Sequence, residues 1–167
     1  VLILSGTLLH AATILRPGDV AFVQVNYTVG SFDFVPLVNL EAGTKIMFTD
    51  YSYSAKIGRL ENRLAGKVNG YETIVTYTVP QAVYAGTVIQ SANNAAFNSS
   101  SLEFMNWGSS YNGETLIALQ VNGNDTTYLS ALGWMSANNF VSSNNAGTSD
   151  IPRGLSFCLL YTSDAAD

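Results

Sequence analysis

The apolar and polar positions of this chain alternate in short runs, as they do in β-strands. From Asp19 to Tyr27 (DVAFVQVNY), Ala21, Val23, Val25 and Tyr27 fall on one face and Val20, Phe22, Gln24 and Asn26 on the other. The strongest stretch is Asp33 to Asp50 (DFVPLVNLEAGTKIMFTD), which reads as strand, turn, strand. Phe34 to Leu40 is nearly all apolar, Glu41-Ala42-Gly43-Thr44 breaks it, and Ile46 to Thr49 resumes at once. Gly43 supplies the positive φ that a tight turn needs, so the pattern predicts a hairpin. Pro36 has no N–H for a ladder and is expected at an edge or a bulge.

The same alternation continues along the chain. Glu72 to Val79 (ETIVTYTV) is a predicted strand ended by Pro80. Ala85-Gly86-Thr87-Val88-Ile89 echoes Ala42-Gly43-Thr44-Lys45-Ile46, each copy reading as a turn that feeds a strand. Leu102 to Trp107 is a short predicted strand. Glu114 to Val121 and Thr127 to Trp134 are a pair joined by the turn residues Asn122-Gly123-Asn124-Asp125. Arg16-Pro17-Gly18-Asp19 and Ile151-Pro152-Arg153-Gly154-Leu155 read as turns, the second leading into a last strand. Ser91 to Ser101 and Met135 to Asp150 are loops rich in Asn and Ser.

Tyr51 to Asn69 interrupts this order. Lys56, Arg59, Arg63 and Lys67 are spaced 3, 4 and 4 apart, one helical face, with Ile57, Leu60 and Leu64 on another. Gly58 and Gly66 weaken a helix. The stretch predicts a long loop with one or two helical turns. Short strands, frequent turn residues and no long amphipathic helix predict an all-β fold, an antiparallel β-sandwich of about seven to eight strands.

The ends change what composition means. Val1 to Ala12 (VLILSGTLLHAA) has the apolar run and small-residue end of a truncated signal peptide, and is shorter than the ~20 apolar residues of a membrane span. A first buried strand at Leu2 to Leu4 is the alternative. Cys158 to Asp167 (CLLYTSDAAD) is similar, residue for residue, to a translated frame of a transposon adapter used in sequencing libraries. A genuine terminal strand with a polar tail is the other reading. The expectation is one β-sandwich domain over residues 13–157, with the natural C-terminus lying further on.

The whole chain has seven Lys and Arg against twelve Asp and Glu, net −5. Setting aside Asp164 and Asp167 leaves net −3, which gives no general reason for nucleic-acid binding. The only Cys is Cys158, so residues 13–157 have no disulfide, thiolate nucleophile or Cys-ligated metal. An exported, Cys-free domain rich in Thr, Asn and Tyr points to a bacterial secreted or cell-surface protein without a membrane span.

The runs GDVAF, DFVPLVNLEAGTKIMFTD, ETIVTYTVP, AGTVI, GETLIAL, ALGW and IPRGL, over Gly18 to Leu155, resemble a group of secreted bacterial β-sandwich modules. Those modules carry runs such as "GDIAF", "FVLLVDIPAGTVIYFTD", "EGTLTWTAP" and "LPPGL". The order of elements also resembles the lamin-tail type of immunoglobulin-like domain. The chain departs from both at Lys56 to Lys67, and Asn112-Gly113-Glu114 stands where the group often has S-G-D. The resemblance implies an accessory part of a larger exported protein, such as a cell-surface protein or a secreted nuclease. It implies no active site of its own and no cofactor, and its partners would be other domains of the same polypeptide.

Candidate chemistry is sparse. The only His, His10, lies in the leader-like stretch, which leaves no Ser-His-Asp or Cys-His arrangement in residues 13–157. The acids show no spacing that marks a glycosidase pair. Asn122, Asn124 and Asp125 with Gly123 offer oxygen ligands of the kind Ca²⁺ takes, but the EF-hand spacing is absent and a β-turn is the simpler reading, so no metal is assigned. Tyr51, Tyr53, Trp107 and Tyr111 are candidates for stacking on an extracellular glycan, with filling of the core the favoured reading for Trp107 and Trp134. Lys56, Arg59, Arg63 and Lys67 are candidates for an anionic polymer, against the plain reading of a solvated loop face. Sequons at Asn26, Asn98 and Asn124 are expected by chance in so Asn-rich a chain. The reading is a non-catalytic exported module with an adhesion, display or spacer role. A carbohydrate-binding accessory module and an accessory domain of a secreted nuclease are its alternatives.

Overall fold

Apolar side chains on alternate positions need a second layer to cover them, and the chain supplies it with two facing sheets. The computed structural model describes residues 11–26, 30–61, 74–98, 114–134, 140 and 149–156, with Glu114 and Trp134 described by backbone alone. The described residues form nine strands and no helix: β1 (Val20–Asn26), β2 (Ser31–Pro36), β3 (Lys45–Thr49), β4 (Ser52–Ser54), β5 (Arg59–Glu61), β6 (Ile74–Thr78), β7 (Ile89–Gln90), β8 (Glu114–Asn122) and β9 (Asp125–Trp134). A three-stranded sheet of order β1-β2-β7 faces a four-stranded sheet of order β6-β3-β8-β9, and β4 and β5 pair as a separate ribbon. Every pairing is antiparallel and neither main sheet closes into a barrel. The fold is the expected all-β sandwich.

Aromatic residues fill the space between the sheets. The ring of Phe48 on β3 lies 4.7 Å from Phe32 and 4.9 Å from Phe34 on β2, centre to centre. Phe22, Tyr77 and Phe97 close around them at 5.1–6.0 Å from their neighbours, within the range of favourable ring contacts. Leu15, Val20, Leu40, Ile46, Val75, Leu116 and Leu129 complete this core, each 2% exposed or less.

The expected hairpin over Phe34 to Thr49 does not form. β2 pairs with β1 and β7, whereas β3 pairs with β6 and β8, so the turn at Glu41–Thr44 carries the chain from one sheet to the other. Both apolar runs need burial, and they obtain it by facing each other across the core. Pro36 ends β2 opposite Val20, beyond the pairing of β2 with β7, so its missing N–H breaks no ladder there.

The alternation predicted for β1 is interrupted by a bulge. Phe22 pairs with Phe34 and Gln24 with Asp33, which leaves Val23 as the extra residue, 53% exposed. The bulge switches the inward face, so Val20 and Phe22 point to the core before it and Val25 after it. A second bulge lies between Ala118 and Leu119 of β8, where Leu129 is the extra residue on β9. The Leu129 carbonyl accepts a 2.8 Å bond from Gly18 N–H and so ties the start of β1 to β9.

The predicted helical face at Lys56 to Lys67 is also corrected over its described part. Lys56 lies in a turn between β4 and β5, closed by a 2.8 Å bond from Gly58 N–H to Ser54 C=O, and Arg59 already belongs to β5. Gly58 has φ +69, a left-handed conformation that ends a helical turn at once. The expected strand at Leu102 to Trp107, residues 1–10 of the leader-like stretch and the CLLYTSDAAD tail lie outside the described residues.

Candidate functional site

β8 is buried along six consecutive positions, Thr115 to Gln120. Leu116 and Ala118 face the main core, whereas Ile117 and Leu119 face the other way. That outer face is covered by a second cluster in which Tyr53 of β4 and Leu60 of β5 pack on Ile117, Leu119 and Tyr128, with Leu155 beside them. The β4–β5 ribbon is thus a flap over the outer side of the four-stranded sheet.

Residues 149–150 hold the flap in place. Ser149 Oγ accepts from Tyr53 N–H at 2.9 Å, Asp150 N–H donates to Tyr53 C=O at 2.9 Å, and an Asp150 carboxylate oxygen accepts from Ala55 N–H at 2.7 Å. The chain then turns at Pro152–Leu155, closed by a 3.0 Å bond from Leu155 N–H to Pro152 C=O. These bonds fix the flap and shape this turn, and both border one depression beside the tip of the β8–β9 hairpin. The tip is a two-residue turn in which Asn122 pairs with Asp125 and Gly123 takes φ +59.

The depression is a cleft of about 320 Å³. Gly58 and Arg59 line it from the flap, and Arg153 from the Pro152–Leu155 turn. Asn124, Asp125 and Thr126 line it from the hairpin, and Tyr128 from β9. Arg59, Arg153, Asn124, Asp125 and Thr126 are exposed, whereas Tyr128 is 6% exposed. Tyr128 packs edge-on against Tyr53 at 5.0 Å. Burial first, and the neighbouring Tyr53 second, push its phenol above the ordinary value of 10.0. At neutral pH it is an uncharged O–H donor. Among the described residues the side chains of Arg59, Arg153, Asp125 and Tyr128 take part in no hydrogen bond or ion pair.

The sequence candidates are distributed unevenly. Arg59 lines the cleft, and Lys56 is exposed on the neighbouring turn. Arg63 and Lys67 lie outside the described residues, as do Trp107 and Tyr111. Tyr53 is 3% exposed, and its ring is part of the packing beneath the flap rather than of the surface. Tyr51 is half-buried, with its N–H bonded to Thr49 Oγ1 at 3.1 Å. The cleft adds Arg153 and Tyr128, which pattern reading had placed only in a turn and a strand. Asn124 and Asp125, considered above for Ca²⁺, line the same cleft as two arginines, and the described residues hold no group of three or more His, Cys, Asp or Glu suited to a metal. Comparison with family models, curated proteins and solved structures finds no match.

Proposed function

We propose that the chain is a non-catalytic exported β-sandwich module of a larger surface or secreted protein, with an adhesion, display or spacer role. One observation carries this reading: the buried polar side chains hold distant backbone in place. Gln120 accepts from Leu15 N–H at 2.8 Å and donates to Thr13 C=O at 2.9 Å. Ser91 Oγ accepts from Phe32 N–H at 2.8 Å, Thr44 Oγ1 from Thr13 N–H at 2.8 Å, and Ser149 Oγ from Tyr53 N–H at 2.9 Å. Each bond joins segments far apart in sequence, which suits a rigid scaffold that presents its loops. The absence of Cys from residues 13–157 and the resemblance to secreted sandwich modules, with their immunoglobulin-like or lamin-tail-like order of strands, support export and an accessory role.

Sequencing the complete reading frame from the source DNA tests it. The expected outcome is a secretion signal upstream and at least one further exported domain in the same frame. A frame that encodes this sandwich alone, without a signal, overturns the proposal.

A further inference from the structure

We propose that the cleft between the β4–β5 flap, the β8–β9 hairpin tip and the Pro152–Leu155 turn binds a carboxylate-bearing sugar, a uronic acid residue of an extracellular polysaccharide. Arg59 and Arg153 take its carboxylate, and Tyr128, Asp125 and Asn124 take its hydroxyls. The inference goes beyond the module reading and stands on the cleft alone.

Three observations carry it. First, two guanidinium groups from separate segments line one cleft with no ion pair among the described residues. Their planar forks match a carboxylate. Second, Tyr128 is 6% exposed, lines the cleft, and has no hydrogen-bond partner among the described residues. A phenol that lines the cleft without a protein partner can donate its O–H to a ligand hydroxyl. Third, the volume of about 320 Å³ sits at the small end of ligand sites, the scale of one or two sugar rings.

Asp125 decides between classes of ligand. It is acceptor-only when ionised, so it suits the several hydroxyls of a sugar ring and repels any anionic group set beside it, phosphate or carboxylate, which leaves the uronate carboxylate to the two arginines. Asn124 and Thr126 add neutral donors and acceptors beside it.

Isothermal titration of the purified chain with oligogalacturonate, with oligoalginate and with the methyl ester of the same oligogalacturonate tests the site. Binding to at least one of the two acidic oligosaccharides is expected, with none to the ester. Arg59→Ala and Arg153→Ala each weaken it about tenfold or more, as for loss of a charge-assisted hydrogen bond, and leave the thermal midpoint unchanged because both side chains are exposed. Tyr128→Phe weakens it about fivefold, in the range of one neutral hydrogen bond, without lowering the midpoint. Asp125→Asn weakens it too, whereas at a plain anion site that change would strengthen binding. The proposal is overturned if neither acidic oligosaccharide binds, if the ester binds as well as the acid, or if the arginine variants bind like the parent. Tighter binding of a single-stranded oligonucleotide, strengthened further by Asp125→Asn, would assign the cleft to a phosphate polymer instead.

Discussion

At the scale of single residues, Gln120 carries more of the fold than its place in an alternating strand implies. It is 6% exposed, and its amide bonds Leu15 N–H, Thr13 C=O and, at 3.3 Å, Lys45 C=O. Gln120→Leu would leave those backbone groups without partners in a buried place. We expect it to lose about 1–3 kcal/mol, read as a lower urea midpoint. Phe48 is the centre of the aromatic core, and Phe48→Ala is expected to cost about 3–5 kcal/mol in the same experiment. Tyr77 governs a pH dependence. Burial raises its phenol pKa above the ordinary 10.0, so the folded chain holds the proton more tightly than the unfolded one. Its contribution is full below pH 10 and is lost as pH rises through the higher folded value. Tyr77→Phe should flatten the alkaline fall of the thermal midpoint, and an unchanged slope would refute this.

At the scale of elements, one turn is used four times. Asp19 N–H bonds Arg16 C=O at 3.0 Å, Thr44 bonds Glu41 at 3.1 Å, Thr87 bonds Tyr84 at 3.2 Å and Leu155 bonds Pro152 at 3.0 Å. In each the third residue is a glycine with φ between +83 and +91, the geometry of a type II turn. The echo between Ala42-Gly43-Thr44 and Ala85-Gly86-Thr87 is therefore a repeated turn, as the sequence indicates. A Cβ at Gly43 would meet nothing within 4 Å, so a substitution there tests backbone conformation alone. Gly43→Ala is expected to cost about 1–2 kcal/mol, and Gly43→Asn less, because Asn tolerates the left-handed region better. Equal losses for both would contradict this account. What the turn does next was not legible in local pattern. A four-residue break between apolar runs serves a hairpin or a crossing between sheets equally well, and the choice rests on which partner strands β2 and β3 find.

At the scale of the whole molecule, protection is expected to follow the layers. β8 lies inside the four-stranded sheet, between β3 and β9, with the main core on one face and the flap cluster on the other. Its amides should exchange with solvent most slowly of the described strands, near the rate set by global unfolding. Those of β4 and β5, a ribbon of three residues a strand, should exchange faster. Hydrogen exchange read residue by residue checks this, and faster exchange in β8 than in the flap would mean that the flap is not a separate cover.

The strands β1, β3, β6, β8 and β9 and all four type II turns were legible because each depends on local chemistry: period-two alternation, and glycine where φ must be positive. Much of the core was legible for the same reason, since an apolar face must be buried. The bulges at Val23 and Leu129 were not, because they arise from matching two strands to each other. The cleft was less legible still. Arg59, Asp125, Tyr128 and Arg153 come from three segments that touch only after the flap has folded over the four-stranded sheet. The sequence by itself determined an all-β chain and its turns, which follow from the alternation and φ preferences of neighbouring residues. Tertiary structure alone decided which strands share a sheet and which polar side chains meet, because both depend on how the two layers satisfy their apolar faces together.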